Sequence, residues 1–123
     1  MRRLSALFLA AFALFAPIGA APAAEAPFQP RLMRLAEVLG SLHYLRNLCG
    51  EEGTQWRDQM QKLIESENPA PELKARYVAS FNRGYRSYEG TYVKCTASAT
   101  EAIARFMKEG EALSRDIAVR YGN

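Results

Sequence analysis

The sequence predicts an all-α fold, a small antiparallel four-helix bundle held by one disulfide and preceded by a cleaved signal peptide. Three observations predict it. Hydrophobic residues recur at spacings of three and four from residue 31 to the end of the chain. No window alternates apolar and polar residues between turns as a strand would. Two cysteines, Cys49 and Cys95, fall at the ends of two helices that short connections point the same way. A length of 123 residues, 49% hydrophobic and 24% charged, suits one globular domain and is too short for a two-domain enzyme.

The chain divides into a signal peptide over 1–23, a linker over 24–30 and a helical domain over 31–123. The first part has a cationic start at Arg2-Arg3, an uncharged run from Leu4 to Ala16, and then Pro17, Gly19 and Pro22 among alanines. Cleavage is expected after Ala23, where Ala21 and Ala23 give the small residues wanted at the minus-three and minus-one positions. Other cuts would set Pro22 or Pro27 beside the scissile bond. A retained membrane anchor is the competing reading, but the second half of the uncharged stretch is alanine, glycine and proline. With no cysteine near the cut, a lipid-anchored lipoprotein is excluded. The expected location is the periplasm, with no membrane-spanning segment left after cleavage.

Beyond the Pro-punctuated linker, helix one is expected from about Arg31 to Leu48, with Leu32, Leu35, Leu39, Leu42 and Leu45 along one stripe. Gly50 can take the left-handed cap conformation that ends it. Helix two, about Thr54 to Glu67, repeats the pattern with Trp56, Met60, Leu63 and Ile64, and Asn68-Pro69-Ala70-Pro71 stops it. Pro71 suits the first turn of helix three. That helix is expected to reach Lys94, with Leu73, Tyr77, Phe81, Tyr85, Tyr88 and Tyr92 in a seam, unless Gly90 ends it and leaves 91–96 as a connector. Helix four opens on a capping box, Ser98-Ala99-Thr100-Glu101, and carries Ala99, Ile103, Phe106, Gly110, Leu113 and Ile117 to about Tyr121.

Short connections make successive helices antiparallel, so helices one and three end on the same side, and Cys49 and Cys95 with them. After an export signal, two cysteines have one connectivity and a disulfide is the default. Four glycines at 40, 84, 90 and 110 each cost about 1 kcal/mol against alanine in a helix interior. Close helix approach facing the bulky tyrosines explains them better than a ligand cavity. Kinked helical hairpins that splay apart are the competing arrangement.

The formal charge is +3, and without Arg2 and Arg3 the remaining 14 basic residues face 13 acidic ones, a net +1. That leaves no electrostatic footprint for nucleic acid. Two cysteines and one histidine supply no structural zinc site, and no nucleophile accompanies His43, so neither a metal site nor a catalytic residue is expected. Glu51-Glu52 and the pair Glu109 and Glu111 read as solvated charge. No cofactor is expected, although a haem carrier with His43 and one of Met33, Met60 or Met107 as axial ligands is an alternative from another class.

The richest segment runs from Phe81 to Tyr92. Arg83 and Arg86 project from its outer face beside Ala79 and Gly90, an arrangement that could accept a carboxylate or phosphate. Tyrosine and arginine favour binding surfaces, so Arg83 and Arg86 with Tyr85, Tyr88, Arg46 and His43 form the candidate surface. Against it stands the plainer reading that the tyrosines fill a core and the arginines pair with helix carboxylates. The two blocks from Leu39 to Gly50 and from Phe81 to Thr96 resemble a family of small exported alphaproteobacterial proteins with two well-separated cysteines. The resemblance spans most of the chain from about Leu32. It implies a periplasmic protein with a Cys49–Cys95 disulfide and, the family being uncharacterised, brings no activity, cofactor or catalytic residue to carry over. The expected role is non-catalytic binding of an envelope protein or a cell-wall component, with a ligand carrier as the alternative.

Overall fold

The computed structural model describes residues 29–121, so the expected signal peptide and most of the linker lie outside the described residues. Four helices follow in order: α1 (Gln29–Leu48), α2 (Gln55–Glu67), α3 (Pro71–Glu89) and α4 (Ala97–Tyr121). They form a packed helical bundle. Among the described residues no helix is long and apolar enough to cross a membrane.

α1 starts two residues earlier than expected, because Pro30 is tolerated in a first turn where its missing N–H has no carbonyl to bond. It ends as the glycine signalled. Gly50 takes φ 99°, its N–H bonds Asn47 O at 3.3 Å, and Glu51 N–H reaches Arg46 O at 2.9 Å, the paired bonds of a Schellman cap. α2 ends on Asn68 in the left-handed conformation, φ 42°, whose N–H bonds Ile64 O at 2.8 Å. α3 stops at Glu89 rather than Lys94, so Gly90 does mark its end. Tyr92 and Cys95 therefore sit in a connector and not on the helix.

The expected capping box at Ser98 is a correction. α4 begins at Ala97, and Thr96 caps it, its Oγ1 accepting the Ala99 N–H at 3.1 Å. Ser98 is already inside the first turn, two positions too late to cap.

α1 is the axis of the molecule. It approaches all three other helices closely, whereas α4 comes near only α1 at backbone level. Its buried residues accordingly run round most of its circumference, Val38, Gly40 and Ser41 as well as the five leucines of the stripe. On one side Leu32, Leu35 and Leu39 pack with Met60 and Ile64 of α2 and with Tyr77 and Phe81 of α3. On the other, Val38, Leu42 and Leu45 pack with Ala99, Ala102, Ile103 and Phe106 of α4. Burying each such leucine contributes about 1.5–3 kcal/mol.

The closest contact is between α1 and α3, at two glycines. A Cβ placed on Gly40 would stand 1.9 Å from Phe81 O, and one on Gly84 would stand 2.0 Å from Glu37 O. The backbones themselves touch there, with buried Ser41 and Ser80 beside them. Close approach is thus the reason for these two glycines, but what each faces is the other helix's backbone and not a tyrosine. Gly110 of α4 lies against Val38, 3.3 Å from its Cγ1.

Arg31 Nε to Asp116 Oδ2 at 2.6 Å and a bidentate Arg34–Glu109 pair at 2.6 and 2.9 Å fix α4 antiparallel to α1. At the other end of both helices the Cys49 and Cys95 sulfurs are bonded, 2.02 Å apart, with Cα atoms 4.9 Å apart. The bridge therefore ties the end of α1 to the start of α4.

Candidate functional site

Three helices around a central one leave gaps between them. α2 and α3 touch lightly. The α3–α4 gap is closed by rings, Tyr88 meeting Phe106 edge-on at 5.4 Å. The α2–α4 gap stays open as a groove of about 700 Å³. Leu35, Leu39 and Leu42 make its floor, Trp56 and Leu63 one wall, and Met107 with Gly110 the other. From Trp56 to Ser66 the groove runs about 15 Å at the helical rise. Lys62 on one rim and Lys108 and Glu111 on the other are exposed. The Trp56 indole Nε1–H is buried and has no acceptor among the described residues.

A second concavity of about 280 Å³ opens on the other flank of α2, lined by His43 of α1, Arg57 of α2, and Phe81, Asn82 and Tyr85 of α3. The His43 ring lies 5.8 Å from the Phe81 ring and 5.6 Å from that of Tyr85. Burial above all, and then the Arg57 charge, hold the imidazole below its ordinary 6.5, with Asp58 pulling the other way. Asn47 closes the top of this region. Its Nδ2 donates to His43 O at 2.6 Å and to Gly53 O at 3.2 Å, and its Oδ1 accepts from Gly53 N at 3.1 Å.

The six residues of the expected surface do not form one surface. His43 and Tyr85 meet in the small pocket. Arg83 turns to α1, 3.5 Å from Glu37 Oε2 and 3.4 Å from Ser80 Oγ, and remains largely exposed. Arg86 is exposed beside Arg83, with Ala79, Asn82 and Ser87 around the pair and Gly90 one turn further along. Arg46 pairs with Glu51, its Nε buried without an acceptor among the described residues. Tyr88 packs on Phe106 and stacks with Tyr92. Sequence reasoning did not find Arg57, Asn82 or the groove, because each depends on which helices stand apart. The exposed position of Arg57, directly after the inward Trp56, was the one available hint.

A family model described as a protein of unknown function (DUF2385) matches residues 27–121. The chain belongs to the DUF2385 family. All four helices, both cysteines and both concavities fall within the DUF2385 match. No curated protein and no solved structure matches the chain.

Proposed function

We propose that this DUF2385 chain is a non-catalytic binding protein of the cell envelope that seats the apolar side chains of a partner protein's amphipathic helix in the groove between α2 and α4. The observation that carries the reading is the groove itself, an apolar floor about 15 Å long with charged rims, suited to the helix-in-groove mode of recognition. Met107, 40% exposed on one wall, is a soft side chain that repacks against different partners. Binding is favoured over catalysis because the groove's charges stand on exposed rims, away from the apolar surroundings that acid–base chemistry uses.

The periplasm is the proposed location, with residues 1–23 as the export signal cut after Ala23, as in the exported alphaproteobacterial proteins that the chain resembles. The Cys49–Cys95 bond supports it, since disulfides persist in oxidising compartments. A ligand carrier would draw on the same groove. Haem held by His43 gains no support, since His43 opens on the small pocket while Met107 lines the groove, Met60 is core and Met33 lines a different concavity beside Ser80.

The test is site-specific photocrosslinking in the periplasm from position 107 and, in parallel, from position 86. A discrete protein captured from 107 and abolished by Leu63→Lys supports the groove. Capture from 86 alone would overturn it, as would an extract in which the protein fractionates with the cytoplasm and its cysteines titrate as free thiols.

A further inference from the structure

Away from the groove, a cluster of polar side chains lines the pocket between α1, α2 and α3. Helices from three parts of the chain bring His43, Arg57, Asn82 and Tyr85 round one opening of about 280 Å³. No hydrogen bond or ion pair engages the Arg57 guanidinium, the Asn82 carboxamide or the Tyr85 hydroxyl among the described residues. Other polar groups of this region are tied: Asn47 to the α1 end and Gly53, Arg46 to Glu51, and Thr54 to Asp58 at 3.1 Å. Leaving these three unengaged round a concavity is what a site awaiting a ligand requires.

The lining specifies the ligand's chemistry. An unpaired guanidinium offers a planar fork of donors that matches a carboxylate. Asn82 and the Tyr85 hydroxyl each present both donor and acceptor capacity, the complement of hydroxyl groups, and the His43 imidazole, whose Nδ1 lies 3.3 Å from Asn47 Nδ2, leaves its Nε2 to a ligand. The Phe81 and Tyr85 rings give an apolar wall for the C–H face of a ring. The volume falls just below the usual range of ligand pockets, about 300–1,000 Å³, and so admits one ring and not a chain of them. We propose that this pocket binds a single acidic sugar unit, its carboxylate on Arg57, its hydroxyls on Asn82, Tyr85 and His43, and its ring against Phe81 and Tyr85. The site is separate from the groove and stands or falls without it.

The test is an NMR titration of the oxidised protein with glucuronate, following the His43 and Tyr85 ring resonances, with glucose and acetate as parallel probes. Saturable shifts with glucuronate, and affinities about tenfold lower for both glucose and acetate, are expected. Arg57→Gln, an exposed position with no packing to lose, should weaken glucuronate about tenfold and leave glucose unchanged. Met107→Lys in the groove should alter neither. The inference is overturned if acetate matches glucuronate, which would mean an adventitious anion only. It is equally overturned if glucose matches glucuronate, if no probe shifts the rings, or if Arg57→Gln binds glucuronate as the native protein does.

Discussion

Gly40→Ala should be among the most damaging single-methyl additions in this protein, although alanine is the better helix former. The new Cβ would stand 1.9 Å from Phe81 O and 2.7 Å from Phe81 C, both backbone atoms of α3 with no side-chain rotation to relieve them. Ordinary contact begins near 3.4 Å, so α1 and α3 must separate by about 1.5 Å. Overpacking of this kind costs about 1–3 kcal/mol where side chains can adjust, and more where they cannot. The helix propensity gain returns about 1 kcal/mol. A net loss of about 2 kcal/mol or more is expected from urea unfolding followed by far-ultraviolet circular dichroism. Gly90→Ala is the control. Its Cβ would meet nothing nearer than Arg86 O at 4.0 Å, and its φ of −76° suits alanine, so stability should hold or rise slightly. Gly84→Ala should match Gly40→Ala. The double variant should cost less than the sum, because one separation of the helices relieves both clashes. A Gly40→Ala protein as stable as Gly90→Ala would refute a backbone crossing at these positions.

Reducing the Cys49–Cys95 bond, or replacing both residues with serine, releases a loop of sequence separation 46, and should lower unfolding free energy by about 4 kcal/mol on the loop-entropy estimate, read from urea midpoints with and without reductant. Thr96→Ala should cost about 1 kcal/mol as the loss of a helix cap, whereas Ser98→Ala should be neutral. The reverse order would restore the capping box at Ser98. His43 is the chain's one histidine, and its folded pKa lies below 6.5. As pH falls through 6.5 the unfolded chain takes up the proton first, so stability is full above that value and declines until the folded pKa is passed. His43→Gln should flatten that decline in pH-dependent thermal melts, and an unchanged slope would place its cause elsewhere.

Elements whose signals are local were legible in the sequence. The leucine stripe of α1, the Gly50 cap, the Asn68-Pro69 stop and the Pro71 start each depend on neighbours within a turn or two, and each appears in the structure where the spacing put it. The bundle and the meeting of the two cysteines followed from connection lengths. The Ser98 cap failed because a threonine two residues earlier offers the same chemistry, and sequence alone does not rank two caps so close together. The candidate surface divides for a different reason. Tyr85 and Tyr88 share one helical seam, yet one faces His43 and the other Phe106, because the seam straddles α1 and its two ends meet different helices. Periodicity says that a face is covered and is silent on what covers it.

The glycines admitted two readings in the sequence, close approach or a cavity, and the structure makes the second a consequence of the first. Gly40 and Gly84 let α3 settle directly on α1, and Gly110 lets α4 settle on Val38. Each of these helices spends its contact surface on α1 and little on its neighbours, so the gaps between neighbours must be filled by side chains or left open. Tyr88 and Phe106 fill the gap between α3 and α4. On the α2–α4 side the facing residues are Gln59, Lys62 and Ser66 against Lys108, Glu111 and Ser114, which stay at the rims in water and cannot close over leucine. Large apolar residues at those positions would have completed an ordinary core. Their polar character, above a floor of Leu35, Leu39 and Leu42 that is otherwise pure core, keeps the groove accessible.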